Sequence, residues 1–99
     1  MSTKELQRKI IEFKKSKGFA TGKESLAIQF CLMYGEVGEA FDTLYKRKPD
    51  ETAFELADIG IYLLAIADIL DIDLGLAIEE KMKINEGRTW NISEMGMDK

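Results

Sequence analysis

Apolar residues recur every three to four positions along most of this chain, and no stretch alternates with the period of two that marks a strand. The pattern predicts four helices. Leu6, Ile10, Ile11 and Phe13 set a helical stripe for a first helix from about Thr3 to Lys17. Ser2 followed by Glu5 forms a capping box at its start, and Gly18 supplies its stop. A second helix, from about Gly22 to Lys46, carries the apolar face Leu26, Phe30, Met33, Val37, Ala40, Phe41 and Leu44, with Thr21 and Glu24 as its capping box. Gly35 and Gly38 lie inside it, each costing about 1 kcal/mol relative to Ala. Two such costs within one turn point to a close approach by another backbone or a ligand.

Lys46 to Asp50 read as a short turn, with Lys46, Arg47 and Lys48 at the negative end of the helix dipole and Asp50 as the next N-cap. The third helix runs from about Glu51 to Leu70. From Ile59 to Ala67 it is apolar on every side, so it must be buried all round. A four-helix chain this short buries a limited share of its surface, so part of this helix is expected to pack against another subunit. Asp71 or Asp73 caps a fourth helix from about Leu74 to Glu86, which Gly87 ends. Beyond Arg88 there is no clear period, and the tail over 89–99 reads as a docked arm or a disordered end. The whole, residues 1–99, reads as a single all-α domain, bundle-like and completed by oligomerisation.

Composition narrows the chemistry. At 99 residues the chain is one domain long, and 45% apolar against 32% charged is ordinary for a folded protein. The net charge of −4 makes it a poor candidate for gripping a nucleic-acid polymer. Its longest apolar run, Ile59 to Ala67, falls far short of the roughly 20 residues that span a bilayer, so no membrane role is expected. With one cysteine, Cys31, and no histidine, the chain lacks a disulfide framework, a Cys/His zinc site and a histidine-based triad. Charged residues stand where a signal peptide needs an apolar core, and the lone cysteine fits a reducing compartment, so a cytoplasmic location is expected.

What remains is carboxylate chemistry. Glu36 and Glu39 are three apart on the second helix, and Glu55 and Asp58 three apart on the third. Side chains at i and i+3 are neighbours on a helix, so each pair presents two carboxylates on one side. A short turn makes the two helices an antiparallel hairpin, and both pairs lie within reach of one another across it. Four half-buried carboxylates repel unless some hold protons or cations neutralise them. Hard oxygen donors of this kind suit Mg²⁺, with Mn²⁺ as a possible substitute. A single such pair is ordinarily a solvated face. Two pairs abutting apolar surface on adjacent helices favour a metal site, but they do not name a substrate.

The blocks Glu36-Val37-Gly38-Glu39-Ala40, Glu55-Leu56-Ala57-Asp58 and Lys81 through Asn85 to Arg88 resemble the MazG-like nucleotide pyrophosphohydrolases of the all-α NTP pyrophosphatase group. That group's pattern is E-E-x-x-E, a spacer, then E-x-x-D; here residues 40 to 54 form the spacer and Gly35 stands in place of the first Glu. The resemblance implies a Mg²⁺-dependent enzyme that splits a (d)NTP into (d)NMP and diphosphate, with a house-cleaning role in nucleotide pools. It implies Glu36, Glu39, Glu55 and Asp58 as metal ligands, with Glu36 or Glu39 also available as general base. It implies Lys81, Asn85 and Arg88 as phosphate-binding residues, Arg88 in bidentate fashion, and a homodimer or a dimer of dimers.

Supporting residues follow from spacing. Tyr62 lies four after Asp58 on the same face, either touching substrate or filling the core with its hydroxyl at an edge. Gln29, seven before Glu36, shares that face and is a candidate to reach the substrate. Phe13, Phe19 and Phe30 are core residues or stacking partners for a base, and Trp90 covers the site or a subunit boundary. The alternatives are a relative of narrower substrate, such as dUTP or phosphoribosyl-ATP, and a non-catalytic helical interaction or regulatory module.

Overall fold

The computed structural model describes residues 1–89. They form an all-α fold of four α-helices: α1 Thr3–Ser16, α2 Leu26–Tyr45, α3 Pro49–Ile69 and α4 Leu74–Glu86, with a 3₁₀ turn over Lys23–Ser25 ahead of α2. The expectations for Trp90 and the rest of the tail fall outside the described residues.

The helix ends follow local chemistry. Ser2 Oγ accepts from the Glu5 amide at 3.0 Å while Glu5 reaches back to the Ser2 amide, completing the capping box. At the other end of α1, Gly18 takes φ +81°. Its amide donates to the Lys15 carbonyl and that of Phe19 to Lys14, the paired closure of a Schellman motif. The same closure ends α2 and α3, although Arg47 (φ 51°) and Asp71 (φ 57°) occupy the left-handed position there. Asp73, rather than Asp71, caps α4, accepting from the Leu76 amide at 3.2 Å.

Two caps differ from expectation. The Thr21–Glu24 box does not form: the chain enters α2 through the 3₁₀ turn, and its N-cap Gly22 has no side chain to accept a bond. Asp50 is not the N-cap of α3; Pro49 already occupies the first turn, where its fixed φ suits a helix and its missing N–H costs nothing.

α2 and α3 form the antiparallel hairpin, and α1 packs on α3. The seam between α2 and α3 follows a heptad-like spacing. On α2 the inward positions are Gln29, Met33, Glu36, Ala40 and Thr43; on α3 they are Thr52, Glu55, Ile59, Tyr62 and Ile66. Near the turn, the hydroxyls of Thr43 and Thr52 meet across the hairpin. This seam corrects the expected face of α2. Ala40 is buried, whereas Phe30, Val37, Phe41 and Leu44 are exposed. The polar or small residues on the neighbouring stripe face α3 instead.

The apolar core is small: Ile10 and Ile11 of α1 close on Ala65 of α3, with Leu64 and Ile69 around them. On α1 the expected stripe is displaced too, since Leu6 and Phe13 are exposed while Gln7 is fully buried. Gln7 is held as a clamp: its Nε2 donates to the Ile72 carbonyl at 2.7 Å and its Oε1 accepts from the Leu74 amide at 3.0 Å. Those bonds tie α1 to the α3–α4 connection and satisfy an otherwise costly buried amide. The apolar run of α3 is buried only in part. Ala65, Ile66 and Ala67 lie inside, while Ile61 and Leu63 stay exposed in the single chain.

Candidate active site

The carboxylates sit on the seam between α2 and α3. Glu36 projects from α2 and Glu55 from α3, both half-buried, with exposed Glu39 one turn on from Glu36. Glu36, Glu39 and Glu55 each offer a carboxylate oxygen, and the three oxygens lie within 4.8 Å of one another. One oxygen of Glu36 and one of Glu55 are buried with no hydrogen-bond partner. Both groups are pure acceptors when ionised, so neither relieves the other.

The Glu36 carboxyl shows the strain. Its pKa is pushed up from 4.5 to about 7, first by burial, then by the Glu55 carboxyl at hydrogen-bonding range, and then by the charges of Glu39 and Asp58. A proton on Glu36 would turn the approach to Glu55 into a hydrogen bond; a cation would satisfy all of these groups at once. Two oxygens on one Mg²⁺ lie at most about 4.2 Å apart. A set already within 4.8 Å reaches that spacing by small side-chain rotations. The donors are hard and anionic, and two of their oxygens are unsatisfied, so the residues fit a divalent cation.

Asp58 is exposed one turn along α3. It stands outside the 4.8 Å group, although its charge reaches Glu36. The glycines of the block give no sign of a neighbour. A Cβ at Gly35 or Gly38 would meet nothing within 4 Å, so the packing of the described residues does not require them.

Two helical turns from the carboxylates the seam opens into a cavity of about 160 Å³. Gln29 of α2 and Tyr62 of α3 are among its lining residues, with Ser25, Leu32, Phe19 and Lys14. Both Gln29 and Tyr62 are seven residues from the Glu36–Glu55 rung, which at 1.5 Å per residue is roughly 10 Å along the hairpin. Lys14 reaches in from α1, its Nζ 4.8 Å from the Tyr62 ring centre and 5.5 Å from that of Phe19. Burial lowers the pKa of its ammonium. Spacing makes Gln29 and Tyr62 candidates, and Phe19 is one as an aromatic able to stack on a base. Lys14 was missed, because a lysine late in an amphipathic helix ordinarily snorkels to water. Its partner Tyr62 lies far along the chain, and no local pattern links them.

Lys81, Asn85 and Arg88 lie on α4 and just past it, Lys81 and Arg88 exposed and Asn85 half-buried. α4 packs chiefly on α1. Phe13 and Phe30 are exposed and do not line the cavity.

The arrangement defines a class: an all-α hairpin with a carboxylate cluster fit for a divalent cation beside a small, partly aromatic cavity. Over 44 residues, 44% of this chain, the sequence is 48% identical to a protein of Salmonella phage PMBT28 named dATP/dGTP diphosphohydrolase. The chain spans only 15% of that protein's length. No family model matches the chain. Comparison with solved structures gives no significant match.

Proposed function

We propose that this chain is a Mg²⁺-dependent nucleoside triphosphate pyrophosphohydrolase of the MazG-like kind, converting a (d)NTP and water to (d)NMP and diphosphate. The observation that carries the reading is the group of Glu36, Glu39 and Glu55 oxygens within 4.8 Å, two of those side chains having buried oxygens without partners. The likeness to a phage protein named for dATP and dGTP hydrolysis supports the substrate class and favours purine deoxynucleotides over dUTP or phosphoribosyl-ATP.

Glu36, Glu39 and Glu55 would hold the cation, and Asp58 adds negative charge beside them. When bound, Mg²⁺ supplies charge neutralisation to the triphosphate and lowers the pKa of a nearby water. The water oxygen attacks the α-phosphorus, the bond to the bridging oxygen breaks, and diphosphate leaves. Glu36 or Glu39 takes the proton from the attacking water. Lys81, Asn85 and Arg88 are assigned to the departing diphosphate, a role that places the end of α4 over the site in the assembled protein.

A homodimer or dimer of dimers belongs to the same proposal. Phe41, Leu44, Phe54 and Leu56 are exposed in the single chain, a larger apolar display than a monomer keeps in water. House-cleaning of nucleotide pools is the proposed role, with Mn²⁺ as a substitute metal.

Pyrophosphate release from a panel of nucleotides, with and without Mg²⁺, tests the reading. Release from at least one nucleotide, abolished by chelation, is expected. Folded protein that releases none would leave the non-catalytic helical module as the better account.

A further inference from the structure

We propose that Lys14 is a positioning residue: its ammonium bridges the rings of Phe19 and Tyr62 and fixes the Gly18–Gly22 loop as a preformed wall of the cavity. The consequence for turnover rests on the proposed hydrolase reading; the effect on the loop does not.

The bridge starts from the end of α1. Gly18 takes φ +81° and turns the chain back on the helix. The Phe19 amide then donates to the Lys14 carbonyl at 3.0 Å. That turn brings the Phe19 ring centre to 5.5 Å from Lys14 Nζ, and Tyr62 of α3 stands at 4.8 Å from the same atom. Helix α1, the loop and α3 thus meet at one charge. None of the ion pairs among the described residues involves Lys14. The rings are what holds its ammonium, and such an attraction grows as the cation leaves water. Lys14 is partly desolvated, and that burial lowers its pKa.

The loop has little else to keep it in place. It is anchored at one end by the Gly18 and Phe19 amides and at the other by Ser25, whose amide and hydroxyl both donate to the Gly22 carbonyl. Between these anchors, among the described residues, the amides of Ala20, Thr21 and Gly22 donate no hydrogen bond within the chain. The Phe19 side chain is 60% exposed, so burial holds it weakly. Segments with so few bonds and buried contacts open at low free-energy cost. Yet Phe19 and Ala20 form part of the cavity wall. A wall ordered before binding spares the ligand the cost of ordering it. Lys17 supplies the contrast. Its Nζ lies 5.9 Å from the Phe13 ring centre, on the same helix, and neither residue lines the cavity.

The test measures backbone order parameters by NMR on the full chain, and KM for dGTP and dATP with Mg²⁺. In the wild type residues 19–22 should lie near the 0.85 or so of rigid backbone, and in Lys14→Gln below about 0.6. Gln matches Lys in helix propensity, so α1 is not weakened. Lys14→Arg keeps a cation and should restore the order, and Lys17→Gln should leave it as in the wild type. KM should rise by roughly five- to thirtyfold in Lys14→Gln, the change falling on KM rather than kcat, and return in Lys14→Arg. Phe19→Leu removes the other half of the contact at an exposed site, and should give the same rise even if Lys14→Gln folds poorly. The double variant should lose no more than either single one. A loop equally ordered in the wild type and Lys14→Gln overturns the proposal, as does a KM that stays put while the loop loosens. The predicted pattern of loop order without any nucleotide turnover keeps the positioning role and removes the hydrolase reading.

Discussion

Glu36 is the residue on which the chemistry turns, and its titration has a sign that can be worked out. Its folded pKa, about 7, is raised above the ordinary 4.5. Below about pH 4.5 both folded and unfolded chains hold the proton, and Glu36 costs nothing. Between 4.5 and 7 the unfolded chain releases it first, so stability falls as pH rises through that window. The metal-free protein should therefore melt at lower temperature at pH 7.5 than at pH 5 on account of this group. Glu36→Gln should flatten that part of the profile, and Mg²⁺ or Mn²⁺ should restore stability at the higher pH. Thermal unfolding at a series of pH values, with and without the cation, reads all three. For turnover, Glu36→Gln or Glu39→Gln should lower kcat by roughly 10²–10⁴-fold, whichever is the base. Glu55→Gln should weaken metal binding, measured by titration calorimetry, by roughly tenfold or more. At this scale the carboxylates were legible, because i, i+3 spacing on a helix fixes neighbours without knowledge of the fold. The role of Lys14 was not, since it depends on where α1 docks.

Among the elements, the helices were readable nearly to their ends. Ser2 with Glu5, Gly18 and Asp73 carry capping chemistry that acts within a few residues, and the structure uses each of them. Ser2→Ala should cost about 1 kcal/mol, seen as a lower melting temperature. The face of α2 was less legible. Two stripes compete there, and the larger apolar one, Phe30 to Leu44, faces away from α3. Periodicity tells which residues share a face but not which partner covers it. Gly35 makes a further test. With open space around its Cβ position, Gly35→Ala should raise helix stability by up to about 1 kcal/mol in a monomeric state. A loss of stability or of turnover in that variant would show that a ligand or a second chain approaches the helix there.

Among the described residues, many large apolar side chains stay exposed, Phe41, Leu44 and Phe54 among them. The chain's radius of gyration is 16.0 Å, against about 13 Å for a compact 100-residue domain. The apolar run of α3 shares in this exposure through Ile61 and Leu63. Sedimentation or light scattering at micromolar concentration should give a dimer or tetramer mass. Phe54→Glu, on a side chain 74% exposed in the single chain, should shift that mass toward the monomer. A monomer in the wild type would contradict the proposed assembly. No helix among the described residues is long and apolar enough to cross a membrane.

The central claim is that the Glu36, Glu39 and Glu55 cluster holds a cation for triphosphate cleavage. The most direct measurement is pyrophosphate release from dGTP and dATP by wild-type protein and Glu55→Gln, each with Mg²⁺ and with chelator. Release by the wild type only with Mg²⁺, and its loss in Glu55→Gln while the fold is retained, is the predicted result. Release that survives both chelation and the substitution would contradict it.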